Sequence, residues 1–195
     1  MAAVVPDKDQ MRLIKEKCLE AFDSGITMGP IELSVSIMKE ESLPMHCPYH
    51  HYLVPAVLLT SAHMSCGSSR EKLESHLEKA EERAGEIPGG ICGKYGCCGA
   101  AVGAGIFISV FLKTTPLSKE GWAACNDMTA RCLSAIAQVE GPRCCKRVTF
   151  LALAAAVTAA KDLLDVKMPE EGDITCTFFN NNKECRREAC PFYKP

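Results

Sequence analysis

Apolar positions recur at helical spacing along most of the chain, which predicts an all-α protein. Met11, Ile14, Cys18, Leu19 and Phe22 share one face of a helix over residues 8–22, and Gly25 ends it. Pro30 opens a second helix through Ile31, Leu33, Val35, Ile37 and Met38, which residues 40–44 break. Pro48 suits the first turn of a third helix, running through Leu53, Val57, Leu58 and Leu59 to about Cys66, with Pro55 as a kink. Residues 69–84 form the clearest surface helix, with Glu and Lys on one side and Leu73, Leu77 and Ala80 on the other. His76 falls on this charged helix and His63 stands alone, so both are expected to be inert.

Glycines and a proline make residues 86–96 a loop. Residues 97–112 then read as a buried helix whose Gly99, Gly103, Ala100 and Ala104 let another backbone approach closely. Ser118 caps a helix through Cys132 and Ile136 that ends near Gly141, and Pro142 starts the last long one, to about Asp165. From Gly172 onward the chain is short, aromatic and cysteine-rich, with no helical period. The pattern predicts a bundle of about six to seven helices over residues 1–170, with a small irregular cysteine knuckle over 171–195 packed on it.

Composition narrows the function. Of 195 residues 47% are apolar and 24% charged, with a net charge of −2 and no basic block, so a nucleic-acid partner is not expected. The first residues lack the charged start, apolar core and small-residue cleavage site of a leader. The longest apolar run, residues 97–112, is about 16 residues, whereas a bilayer span needs about 20. A cytoplasmic protein without a membrane partner is therefore expected. Thirteen cysteines are the outlier. With an odd count, no leader and long helices that need no staples, they point to metal binding or redox chemistry rather than a secreted disulfide scaffold.

Four constellations gather nine of these thiols, and Cys18, Cys66, Cys125 and Cys132 fall at helical apolar spacings as core residues. The knuckle carries Cys176, Cys185 and Cys190 as C-x8-C-x4-C-P, a way to wrap a tetrahedral thiolate site whose fourth ligand must come from elsewhere. The segment GGICGKYGCCGAAVGAG delivers Cys92, Cys97 and Cys98 to a helix start, where free N–H groups and the helix dipole stabilise thiolates. GPRCCKR places Cys144 and Cys145 in a first helical turn among Arg143, Lys146 and Arg147, a setting for clustered thiolates or an anion. In MHCPYHH, Cys47 and His51 stand four apart, as do His46 and His50, so His50 and His51 suit metal ligation or a thiol–imidazole pair.

MHCPYHHYLVPAVLL, GGICGKYGCCGAAVGAGIFIS, TPLS followed by Trp122, GPRCCKR and the closing CPFY together resemble an uncharacterised cysteine-rich domain of anaerobic archaea and bacteria. That domain occurs alone or joined to a SAM-dependent methyltransferase and has no established activity. It more often has glycine where Cys47 stands here, which shifts weight to His50 and His51. CGAAVGAG also bears a looser similarity to the redox-active C-GCAxxG-C-C proteins. The anaerobic context implied by the resemblance suits an oxygen-sensitive cluster and a redox or methyltransferase partner.

The leading expectation is a metal or iron–sulfur redox protein. Its inner site would draw on Cys92, Cys97, Cys98, Cys144 and Cys145 near His50 and His51, with Arg143, Lys146 and Arg147 offsetting their charge. The knuckle would hold a second or shared metal. One alternative is an enzyme with Cys97 or Cys145 as nucleophile, His50 or His51 as base and a structural zinc. The other is a zinc-stabilised module that docks a methyltransferase.

Overall fold

The computed structural model describes residues 6–169 and 172–194, and all regular structure among them is helical. The reading of the first five residues as free of a leader, and the boundary between 170 and 171, lie outside the described residues. The elements are α1 (Lys8–Asp23), α2 (Pro30–Met38), α3 (His50–Ser65), α4 (Arg70–Gly85), α5 (Ile91–Lys94), α6 (Gly99–Phe111), α7 (Trp122–Ala137) and α8 (Cys145–Leu164). No helix among these residues is long and apolar enough to cross a membrane.

α3 is the central rod. Every residue from His50 to His63 is buried, so this helix has no solvent face and meets α1, α2, α4, α6 and α8 around its circumference. Leu53, Leu58 and Leu59 are fully buried within it, each worth roughly 1.5–3 kcal/mol relative to exposure. α6 lies closest, because glycine removes the side chain at the crossing. A Cβ on Gly103 would stand 2.7 Å from the His51 carbonyl oxygen and 2.8 Å from Pro55 Cδ. On the opposite side a Cβ on Gly105 would meet Thr129 Oγ1 of α7 at 2.1 Å. The small-residue face expected of α6 therefore seats α3, while Gly105, outside that face, seats α7.

Local chemistry sets the helix ends. Asp7 accepts from the N–H groups of Asp9 and Gln10 at the start of α1, Pro30 fills the first position of α2, and Ser69 accepts from Lys72 N–H at α4. Three starts depart from the sequence pattern. Pro48 closes a turn, its carbonyl accepting from His51 N–H at 2.8 Å, and α3 begins at His50. Ser118 accepts from Thr115 N–H in a local turn, so α7 begins after Gly121, whose φ of 77° suits glycine. The Pro142 carbonyl takes the Arg147 guanidinium at 2.7 Å, so α8 begins at Cys145, with Cys144 extended as its N-cap. The loop expected over residues 86–96 contains the single turn α5.

Beyond α8 the chain makes two 3-10 turns, Phe179–Asn181 and Arg187–Ala189. Phe178 and Phe192 are buried with the helical core, and Phe192 meets Phe150 of α8 edge-on at 5.3 Å between ring centres. The Cys176 N–H donates to the Phe192 carbonyl at 2.7 Å and ties the two ends of the knuckle together. Arg186 Nη1 donates to the Glu140 carbonyl, and His46 Nε2 donates to Asn182 Oδ1 at 3.1 Å.

Candidate functional site

The starts of α3, α6 and α8 converge on one chamber of about 560 Å³. His50 and His51 come from α3, Cys98 from the N-cap of α6 and Cys145 from the first position of α8. Cys47 and Cys92 also line it, as do Arg143 and Arg147, while Ile136 and Val139 close the side toward α7. Three helix N-termini around one space give it a positive potential without committing a side chain to it.

The two imidazoles are locked in one tautomer. His50 Nδ1 lies 2.6 Å from the Cys47 carbonyl and His51 Nδ1 lies 3.2 Å from the Ile87 carbonyl. A carbonyl only accepts, so both Nδ1 atoms carry hydrogen and both Nε2 atoms carry lone pairs. This arrangement, in which a backbone carbonyl fixes the far ring nitrogen, is how metal-ligating histidines are held. The rings are 4.5 Å apart at 71°. His51 packs directly on Gly99, where a Cβ would stand 2.2 Å from its Nε2.

Burial dominates the electrostatics of this wall. It holds His50 down at about 3, helped by the facing His51 and opposed by the Cys47 carbonyl, and it lowers His51. The Cys145 thiol is pushed up to about 12 by burial, against the pull of Arg143. Cys98 is also raised by burial, against the Ala100 and Ala101 N–H groups. The N-terminal dipoles therefore do not by themselves produce thiolates here. His50 and His51 rest as neutral imidazoles, and Cys98 and Cys145 as neutral thiols.

A second, smaller cavity of about 20 Å³ shares Arg147 with the first. Cys144, Cys176, Cys185 and Cys190 all line it, with Arg147 and the rings of Phe150, Phe179 and Phe192. Phe178 N–H donates to Cys176 Sγ at 3.4 Å and Arg187 N–H donates to Cys185 Sγ at 3.4 Å. Burial raises the Cys144 thiol, opposed by the N–H and guanidinium of Arg147, and Cys176 is raised in the same way. All thirteen cysteines are free thiols. Among the described residues no three or more His, Cys, Asp or Glu are already drawn together as a metal-binding group.

Several predicted site residues move in this light. Cys144 separates from Cys145 and faces the knuckle, because it is the extended N-cap rather than part of the first turn. Cys97, one residue ahead of the α6 N-cap, is half-buried and does not line the chamber. Lys146 turns away to donate to the Tyr49 hydroxyl and lies 4.8 Å above the Phe178 ring. Arg143 and Arg147 line the chamber.

The pattern of the sequence did not show the pairing of His63 with His76. His63 Nε2 and His76 Nδ1 are 3.0 Å apart in a buried contact roofed by Phe111. The leucine face of α4, one turn from His76, was the available signal. His46, half-buried on the chamber rim and bonded to Asn182 of the knuckle, links the two cavities. Over residues 14–193 the chain matches the model of a family of unknown function, DUF5714. No curated protein and no solved structure matches it.

Proposed function

The chain belongs to this family of unknown function, so its chemistry must be read from its own residues, and we propose that it is an iron–sulfur redox protein whose cluster sits in the chamber. The observation that carries the reading is the pair His50 and His51, each fixed through Nδ1 with Nε2 free, on the same wall as Cys98 and Cys145. Two imidazoles and two thiols form a ligand set known for iron–sulfur centres. Cys92 and Cys47 are the further thiols within the same space.

Size favours a cluster over a single ion. A chamber of about 560 Å³ exceeds what one ion needs by far, since a single water occupies about 10–15 Å³ on the same measure. It leaves room for a cluster and a small reactant beside it. Charge supports the same choice. Thiolates bound to iron bring net negative charge, and the chamber meets it with Arg143, Arg147 and three helix N-termini.

The task is electron transfer, or a redox step on a small molecule bound beside the cluster. The redox or methyltransferase partner expected from the sequence belongs to this proposal. A reading with Cys145 as nucleophile and His50 as its base has less support, because burial holds His50 at about 3 and Cys145 at about 12, so moving the thiol proton to the imidazole is strongly uphill.

The test is anaerobic purification followed by iron and acid-labile sulfide analysis with a visible spectrum. Iron with matching sulfide and a broad visible absorbance is expected, and it should disappear in the C98S/C145S double variant. Protein that binds no iron on anaerobic reconstitution with iron and sulfide overturns the reading.

A further inference from the structure

We infer that Cys144, Cys176, Cys185 and Cys190 form a second, separate metal site that takes a single zinc ion and pins the knuckle to the start of α8. The three knuckle cysteines lack a fourth ligand in their own segment. Cys144, which is 32 residues ahead of Cys176 in the chain, supplies it from the N-cap of α8. All four open on one cavity of about 20 Å³, which holds one ion or one water and excludes a cluster. Four thiols around space for one ion suit a closed tetrahedral zinc site.

The surroundings are built for an anion-forming sulfur cage. Two of the sulfurs already accept backbone N–H groups from two residues ahead, Phe178 onto Cys176 and Arg187 onto Cys185. Such bonds disperse thiolate charge. Two cations are buried beside the cage. Lys146 is 1% and Arg147 5% exposed, and neither makes an ion pair with a carboxylate among the described residues. Arg147 spends Nη2 on the Glu140 and Pro142 carbonyls, while its buried Nε has no partner. Buried cations without a carboxylate need a counter-anion, and a zinc ion held by four thiolates carries net charge of about −2.

As they stand the sulfurs are free thiols not yet gathered on a centre. On binding, each thiol releases its proton to solvent and gives its electron pair to the zinc ion, with no change of oxidation state. The surrounding Phe150, Phe179 and Phe192 keep water from the cage, and all four positions are protein sulfurs, so the site is structural rather than catalytic.

The inference is independent of the chamber reading and can be tested apart from it. Zinc per chain is measured on protein purified with a thiol reductant, and cobalt is substituted as a spectroscopic probe. About one equivalent of zinc is expected, with a cobalt spectrum showing strong sulfur-to-metal charge transfer. C185S should lose the metal, whereas C66S and C98S should retain it. Because C144S and C185S variants can unfold, the second measurement uses the unaltered chain. Alkylation followed by peptide mass mapping, with and without zinc, should show Cys144, Cys176, Cys185 and Cys190 protected together. Absence of zinc and cobalt binding in the unaltered chain, or protection of the knuckle cysteines with Cys144 still alkylated, overturns the assignment. Iron in place of zinc at the same four sulfurs overturns the choice of metal.

Discussion

Cys144 and Cys145 are adjacent in the chain and open onto different cavities, the first toward the knuckle and the second into the chamber. The division follows from helix geometry. Cys144 is extended at φ −135° and ψ 112°, and Cys145 is the first helical residue after it. Even inside one helix, neighbours project about 100° apart. A doubled cysteine at a helix start is thus suited to link two sites rather than to double one.

The two serine variants should therefore separate. C144S should weaken zinc binding by more than roughly 100-fold, since even an outer-shell partner is worth about 10–100-fold. C145S should leave zinc at its full level and lower the iron that reconstitution installs. Metal analysis of both proteins side by side decides the matter. Equal loss of both metals in each variant would mean that the cysteines serve one shared centre.

How much of this was legible in the sequence depends on which forces set each feature. The helices were readable because apolar spacing reports burial, and the structure keeps all the long ones within a few residues. The starts of α3, α7 and α8 were not, because Pro48, Ser118 and Pro142 spend their carbonyls or hydroxyls on local turns and on the Arg147 side chain. The knuckle's missing ligand was visible as a gap but not as Cys144, because the choice depends on α8 lying against the knuckle through Phe150 and Phe192. The division of Cys144 and Cys145 between two cavities had a signal, the roughly 100° offset of helical neighbours. The buried His63–His76 contact had almost none, since it joins residues 13 apart on two helices.

That histidine pair sets a pH dependence away from both proposed centres. Burial lowers His63 to about 4, aided by the facing His76 and by Lys72, and His76 is lowered by burial, Lys72 and Lys113. The nearby rim also carries Glu78, Lys79 and Glu82. Both folded values lie below the ordinary 6.5. The unfolded chain thus binds more protons as pH falls below about 6.5, and stability is lost down to about 4, where folded His63 also titrates. Thermal melts between pH 7 and 4.5 should show a falling midpoint, with a shallower fall in H63L. Identical slopes in the two proteins would show that other groups carry the acid response.

Gly99 tests whether the chamber wall depends on close approach. Its Cβ would stand 2.2 Å from both Cδ2 and Nε2 of His51, so G99A must displace the imidazole. Helix propensity favours alanine by about 1 kcal/mol, while a forced shift in a packed wall costs about 1–3 kcal/mol. The clash is expected to win, with a lower melting temperature and reduced iron on reconstitution. G93A is the control, because nothing lies within 4 Å of the Cβ it would add. A G99A protein that is more stable and keeps its iron would show that His51 is free to leave the wall.

Lys146 offers a test through the sign of its effect. Its ammonium is 1% exposed, donates to the Tyr49 hydroxyl and sits between the Tyr49 and Phe178 rings, 5.2 and 4.8 Å from their centres. Burial brings it down to about 8, and the groups that pull it back up, when they are ionised, are the sulfurs of Cys145, Cys144 and Cys176. In zinc-free protein those thiols are neutral, so the ammonium is a buried charge with only a hydroxyl and two ring faces to hold it. Replacing it with methionine of similar length should then be neutral or stabilising. In zinc-loaded protein the same cation faces a cage of net negative charge, and K146M should destabilise by about 1–3 kcal/mol. Thermal melts of both proteins with zinc and with a chelator measure the four states. A K146M penalty of the same size with and without zinc would reduce Lys146 to a packing role and remove its claim as the counter-charge.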